Sequence, residues 1–166
     1  MNSTLHISIV QHHIVWDNPL ANLERISQII QNGIGSDIIV LPEMFATGFI
    51  AKKLPKKESA NLILEWMKET AASKQAAITG SVAVEELGNW YNRLFFVNPN
   101  GEIQHYDKRH LFPTSLEPTY FTRGDQSPIF QYLGWKICPQ ICYDLRFPIW
   151  SRNKYHEGQF HYDILL

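Results

Sequence analysis

The sequence predicts an α/β protein with a mixed sheet, and three observations carry that prediction. Strand-like and helix-like segments alternate through the first half of the chain. In residues 37–41, Asp37 leads into a continuous apolar run of the kind a strand covered on both faces needs, and two turn-rich breaks further on join β-rich runs as hairpins. Length agrees: 166 residues, 45% of them hydrophobic and 13% aromatic, suit one core-forming domain and are too few for two ordinary ones.

Residues 5–10 read as the first strand. Asp17 and Asn18 then supply a cap and Pro19 suits a first helical position, while Leu20, Leu23, Ile26, Ile29 and Ile30 recur at helical spacing. That helix lays one stripe on the core and ends near Gly33 and Gly35. Pro42 stops the buried strand of residues 37–41. A second helix over about residues 59–74 carries Leu62, Ile63, Trp66, Met67 and Thr70 on one side, and residues 76–85 return as a strand. Turns at residues 84–89 and 98–101 bracket strands that end in 94–97 and 103–106, which makes the sheet mixed. Residues 109–128 form a long surface loop, a length that in compact domains is often functional. A strand at 129–132, a turn at Leu133 and Gly134, a strand carrying both cysteines, a helix from about Phe147 and an apolar segment at 162–166 complete the chain.

Charge and cysteine usage exclude several classes. A net charge of −1 gives no electrostatic footprint for nucleic acid or an anionic membrane. Lys52, Lys53, Lys56 and Lys57 cluster, but Glu58 follows at once, as on a solvated loop. Cys138 and Cys142 lie within one strand-like segment, offer no disulfide framework and fit a reducing cytoplasm. No segment approaches the ~20 apolar residues of a membrane helix. The pair His12 and His13 lacks accompanying His-x-x-x-His or Cys-x-x-Cys spacing, and Gly-x-Gly-x-x-Gly is absent, so neither a metal nor a cofactor is expected.

Three polar residues fall at strand ends, where sheet-based enzymes place their chemistry. Cys142 comes where a strand breaks into Asp144, Arg146 and Pro148, so it sits at the tip of a tight turn, near N–H groups whose dipole favours a thiolate. The competing reading is a buried small hydrophobe. Glu43 follows the strand 38–41, and Lys108 follows the strand 103–106. Singly, such residues are ordinary solvated charges. Together they suit acyl transfer, with a carboxylate to take the thiol proton and a cation to stabilise an oxyanion. On residues alone, a cysteine–histidine pair using His105 or His110 stays open.

Leu-Pro-Glu-Met-Phe-Ala-Thr-Gly-Phe at 41–49, Tyr-Asp-Lys-Arg-His-Leu-Phe at 106–112 and Gln-Ile-Cys-Tyr-Asp-Leu-Arg-Phe-Pro at 140–148 resemble, in order, the three signature segments of the nitrilase superfamily of carbon–nitrogen hydrolases. The resemblance implies an α-β-β-α sandwich whose subunits pair as a homodimer. It also implies a triad: Glu43 as base, Cys142 as acylated nucleophile, and Lys108 binding the oxyanion with the backbone N–H of Tyr143. Glu117 matches the family's second glutamate, expected to position Lys108 and the attacking water.

The wording of the last two motifs is most similar to the omega-amidase branch, which implies hydrolysis of the terminal amide of 2-oxoglutaramate or 2-oxosuccinamate with release of ammonia. The alternatives are another amidase, a nitrilase, an N-carbamoyl hydrolase, or a domain that folds without turnover. Arg146 is a candidate partner for an anionic substrate, against a structural ion pair with Asp144 or a neighbour. Phe45 and Phe49 could wall the pocket or pack the core. Because family members continue beyond the position of Leu166, residues 1–166 are expected to form one carbon–nitrogen hydrolase domain that is incomplete at its C-terminal end and not a working enzyme by itself.

Overall fold

The computed structural model describes residues 4–31, 35–49 and 54–166. Its main sheet is built from β1 (Ile7–Ile9), β2 (Ile38–Val40), β3 (Ala77–Glu86), β4 (Asn89–Val97) and β5 (Ile103–Asp107), adjacent in that order. The first three strands pair in parallel and the last three antiparallel, so the expected mixed sheet forms. Helices α1 (Pro19–Gln31) and α2 (Lys57–Lys74) are the crossovers that parallel pairing requires. Pro19 opens α1, and the Asn18 side chain accepts the N–H of Ala21 at 3.2 Å. The buried stripe of α1 is narrower than its apolar spacing suggests: Leu23 and Ile26 are buried, whereas Leu20 and Ile29 are exposed. The helix end expected at Gly33 lies outside the described residues, as do Lys52 and Lys53. Lys57 makes an exposed ion pair with Glu85 at 2.9 Å.

Side-chain alternation sorts the core into two layers. Ile39, Ile78, Phe95 and Val97 face α1 and α2, packing with Ile26, Ile63 and Met67. Their neighbours Ile38, Ala77, Leu94 and Phe96 point the other way, onto Phe130 and Ile137 of a second sheet. That sheet consists of β6 (Phe130–Tyr132), β7 (Trp135–Cys138) and the late strand Ile164–Leu165, which pairs in parallel with β7. Helix layer, sheet and sheet thus follow in the order of the α-β-β-α sandwich. No helix among the described residues is long and apolar enough to cross a membrane.

The region after β7 differs from expectation. The strand ends at Cys138, because Pro139 has no N–H to donate, and does not extend to Cys142. Cys142 instead opens a 3-10 turn, Cys142–Arg146. The helix expected from Phe147 is one turn only, Pro148–Ser151. The Asn153 side chain then bonds the backbone of Tyr162 in both directions, at 2.7 and 3.2 Å, and holds the chain in an exposed hairpin pairing Tyr155 with Phe160. Within the loop 109–128, a short helix, Glu117–Tyr120, was not foreseen.

Candidate active site

Glu43, Lys108, Glu117 and Cys142, from three separate stretches of the sequence, line one cavity of about 320 Å³ together with Met44, Phe49, Phe112, Ser115 and Phe121. Each is fixed by its own local structure. Pro42 ends β2, and the following turn is pinned where the N–H of Met44 donates to Ser81 Oγ at 3.0 Å, which aims Glu43 inward. Lys108 sits one residue beyond β5, its N–H donating to the Asn92 carbonyl at 2.9 Å. The loop passes so close here that a Cβ on Gly124 would lie 2.2 Å from the Asp107 carbonyl oxygen, so only glycine fits. Glu117 opens its helix, its N–H bonded to Ser115 Oγ at 3.1 Å.

The charges are tightly joined. Lys108 is 1% exposed, and its Nζ lies 2.8 Å from Oε1 of Glu43 and 2.8 Å from Oε1 of Glu117. Burial pushes the ammonium down, but the two carboxylates outweigh it and hold its pKa above the usual lysine value. The other oxygen of Glu117 accepts the N–H of Phe112 at 2.7 Å. Glu117 is thereby held between Lys108 and the backbone of Phe112.

Cys142 is exposed, and its φ of 45° lies in the left-handed region, a strained conformation for a residue with a Cβ. Burial first, and then the negative charge of the nearby Glu43 carboxylate, raise its pKa. That direction runs against the expected thiolate favoured by a helix dipole: burial and Glu43 both favour the protonated thiol, and Cys142 opens only a five-residue 3-10 turn. Cys138, by contrast, is buried, with its thiol pushed up by desolvation.

Asp144, fully buried, ties the cysteine turn to the lysine segment. It accepts the Tyr106 hydroxyl at 2.8 Å, the N–H of His110 at 2.8 Å and the N–H of Ile141 at 3.0 Å, and meets His110 Nδ1 at 2.8 Å. His110, stacked on Phe147, is committed there, and His105 lines a separate surface groove with Glu86 and Asp107. Neither histidine lines the cysteine cavity, so the cysteine–histidine alternative fails. With its oxygens so engaged, Asp144 makes no ion pair with Arg146. Arg146 is exposed and borders a groove with Phe112, Cys142, Tyr143 and Leu145. Tyr143 packs edge-on against Phe112 and Phe147. Phe49 lines the cavity, but Phe45 does not: it is fully buried against Trp66, over Gly80, where a Cβ would lie 2.8 Å from its ring. Among the described residues no group of three His, Cys, Asp or Glu could hold a metal ion.

Sequence reading missed Asn92, whose Nδ2 donates to Glu43 Oε1 at 2.8 Å. A buried amide in mid-strand left no signal beyond being polar where Leu94 and Phe96 are apolar.

The family model for carbon–nitrogen hydrolases matches residues 6–162. An omega-amidase, YafV, of Yersinia enterocolitica is 38% identical over 99% of this chain and 62% of its own length. A 2-oxoglutaramate amidase of Bacillus subtilis is 32% identical over 92% of this chain and 61% of its own. The crystal structure of XC1258 from Xanthomonas campestris, a CN-hydrolase superfamily protein carrying an arsenic adduct in its active site, superposes with a TM-score of 0.86 at 35% identity, covering 97% of this chain and 63% of that one. The chain spans about three fifths of the length of the curated relatives it matches.

Proposed function

The chain belongs to the carbon–nitrogen hydrolase family, and from that premise we propose that it serves an amidase acting on small carboxylic acid monoamides of the 2-oxoglutaramate and 2-oxosuccinamate type. The observation that carries this is the convergence of Glu43, Lys108 and Cys142 on one cavity, with the ammonium 2.8 Å from the Glu43 carboxylate. The names of the omega-amidase and 2-oxoglutaramate amidase relatives supply the substrate class.

In this reading Glu43 takes the thiol proton as Cys142 Sγ attacks the amide carbon. The carbonyl oxygen becomes an oxyanion facing the Lys108 ammonium and the N–H of Tyr143. Glu43 returns the proton to the leaving nitrogen, the C–N bond breaks, and ammonia departs from a thioester. Water then attacks the thioester, giving its proton to Glu43, and collapse releases the carboxylic acid and restores the thiol. Glu117 acts by holding Lys108 and orienting the water. Arg146, exposed beside the nucleophile, supplies a cation for the substrate's free carboxylate. The two free cysteines suit a reducing cytoplasm, and exposed Leu145 and Ile149 offer an apolar face for a homodimer.

Ammonia release from the full chain should be compared across 2-oxoglutaramate, glutamine, asparagine, N-carbamoyl amino acids and a simple nitrile. The 2-oxo dicarboxylate monoamides should give the highest kcat/KM. Preference for a nitrile or an N-carbamoyl compound would move the protein to another branch.

A further inference from the structure

Asn92 lies on β4, fully buried, on the face that Leu94 and Phe96 present to the second sheet. Its side chain reaches the end of that face, where three charged groups meet: Glu43 from the turn after β2, Lys108 from the end of β5 and Glu117 from the loop helix. Asn92 Nδ2 donates to Glu43 Oε1 at 2.8 Å and reaches Glu117 Oε1 at 3.5 Å. Lys108 Nζ donates to the same two oxygens, at 2.8 Å each. The amide orientation follows from chemistry, since between two carboxylates only the NH₂ group can face inward. The Oδ1 atom, turned away, has no hydrogen-bond partner among the described residues, a cost that packing alone would not select. Meanwhile the Asn92 carbonyl accepts the Lys108 N–H at 2.9 Å, so one residue braces both the backbone and the partners of that lysine.

We infer that Asn92 is a positioning residue: with Lys108 it saturates Oε1 of Glu43, holds the two carboxylates at a fixed separation, and leaves Oε2 of Glu43 to receive the Cys142 proton. This rests on the acyl-transfer reading above. Alanine at this place leaves Glu43 Oε1 with one donor. Aspartate keeps the shape, loses the donor and adds a third negative charge.

The test is the pH profile of Cys142 alkylation by iodoacetamide in the full chain, which needs no substrate, run beside kcat and KM for 2-oxoglutaramate. Losing a donor to the ionised carboxylate raises the proton affinity of the coupled Glu43–Cys142 pair. In Asn92→Ala the profile should move up by about one pH unit, the size of one lost charge-assisted hydrogen bond. Asn92→Asp should move it further, with kcat falling and KM held, because Asn92 does not line the cavity. A purely structural role predicts the reverse order, since the isosteric aspartate preserves packing. An unmoved profile, or a milder effect in Asn92→Asp than in Asn92→Ala, overturns the inference. If alkylation shifts as expected while 2-oxoglutaramate is not hydrolysed, the role of Asn92 stands and the substrate assignment falls.

Discussion

The two faces of the five-stranded sheet are made by the same strands and do different work. Toward α1 and α2, the face is apolar where the helices cover it, with Ile39, Ile78, Val82, Phe95 and Val97, and it turns polar only beyond them, where Arg93 of β4 pairs with Asp107 of β5 at 2.7 Å. Toward the second sheet, the character changes along each strand. On β4 the inward residues run from Phe96 through Leu94 to Asn92, and on β3 from Ala77 through Thr79 to Ser81. One end of this inner layer is core, and the other supports Glu43 and Lys108. A sheet face can thus hold a fold together at one end and, two residues on, aim charges into a cavity.

The largest expected effect separates the two ends cleanly. Cys142→Ala should abolish turnover, a loss on the order of 10⁴ or more for a nucleophile acting as part of a unit. The melting temperature should barely move, because Cys142 is exposed and its strained left-handed backbone gains nothing from the thiol. A strongly destabilised variant would mean that the cavity end is also structural core.

Phe96→Ala probes the other end. Phe96 is fully buried between the sheets, against Phe130 and Tyr132, and its truncation should cost about 3–5 kcal/mol in denaturant unfolding. At temperatures where the variant stays folded, the Cys142 alkylation rate should match wild type. A slowed Cys142 would show that the inner layer transmits its packing to the site.

How much of this contrast was legible beforehand follows from its physics. The outer face was largely readable because apolar alternation and helical spacing are local patterns: a strand formed within residues 37–41 and the hairpin turns formed, while of the stripe Leu20, Leu23, Ile26, Ile29 and Ile30 only Leu23, Ile26 and Ile30 are buried. Glu43, Lys108 and Cys142 were visible as polar residues at strand ends, and the motif resemblance added Glu117. What stayed hidden depended on tertiary contacts. Phe45 turned from candidate wall to core because Gly80 leaves room for its ring. Asn92 and Asp144 act only through partners brought from distant segments. The raised thiol of Cys142 reflects burial first and then Glu43, 99 positions earlier, neither of which the local turn pattern shows.

Lys108→Met tests whether the polar end is held by charge balance. Activity should fall by roughly 10²–10³ in kcat, the range for one oxyanion donor. Stability should also become pH-dependent. Without the ammonium, Glu43 and Glu117 face each other across a buried site, which raises their folded-state pKa values above the unfolded ones. The variant should therefore be most stable below about pH 4, where unfolded carboxylates are also protonated, and lose stability as pH rises through the raised values. Wild type should show no such loss through neutral pH, because the raised pKa of Lys108 keeps the cation in place until the alkaline range. Melting curves at pH 5 and pH 8 decide it, and equal curves for the variant would mean that the carboxylates separate when the lysine is gone.

The smallest effect belongs to the rim. Arg146 is exposed and makes no ion pair with Asp144, whose oxygens serve Tyr106, Ile141 and His110. Its contribution to an anionic substrate is that of a solvated charge, worth under about 1 kcal/mol, so Arg146→Ala should raise KM for 2-oxoglutaramate by no more than about fivefold. The kcat should hold, because the guanidinium does not meet the reacting atoms, and KM for a neutral amide should be unchanged. Raised ionic strength should shrink the wild-type advantage, since exposed charges are screened within about 10 Å at 0.1 M salt. Should Arg146→Ala instead lower kcat as strongly as Lys108→Met does, the site's electrostatics would not divide into a buried set and a rim, and the guanidinium would have to swing into the cavity when substrate binds.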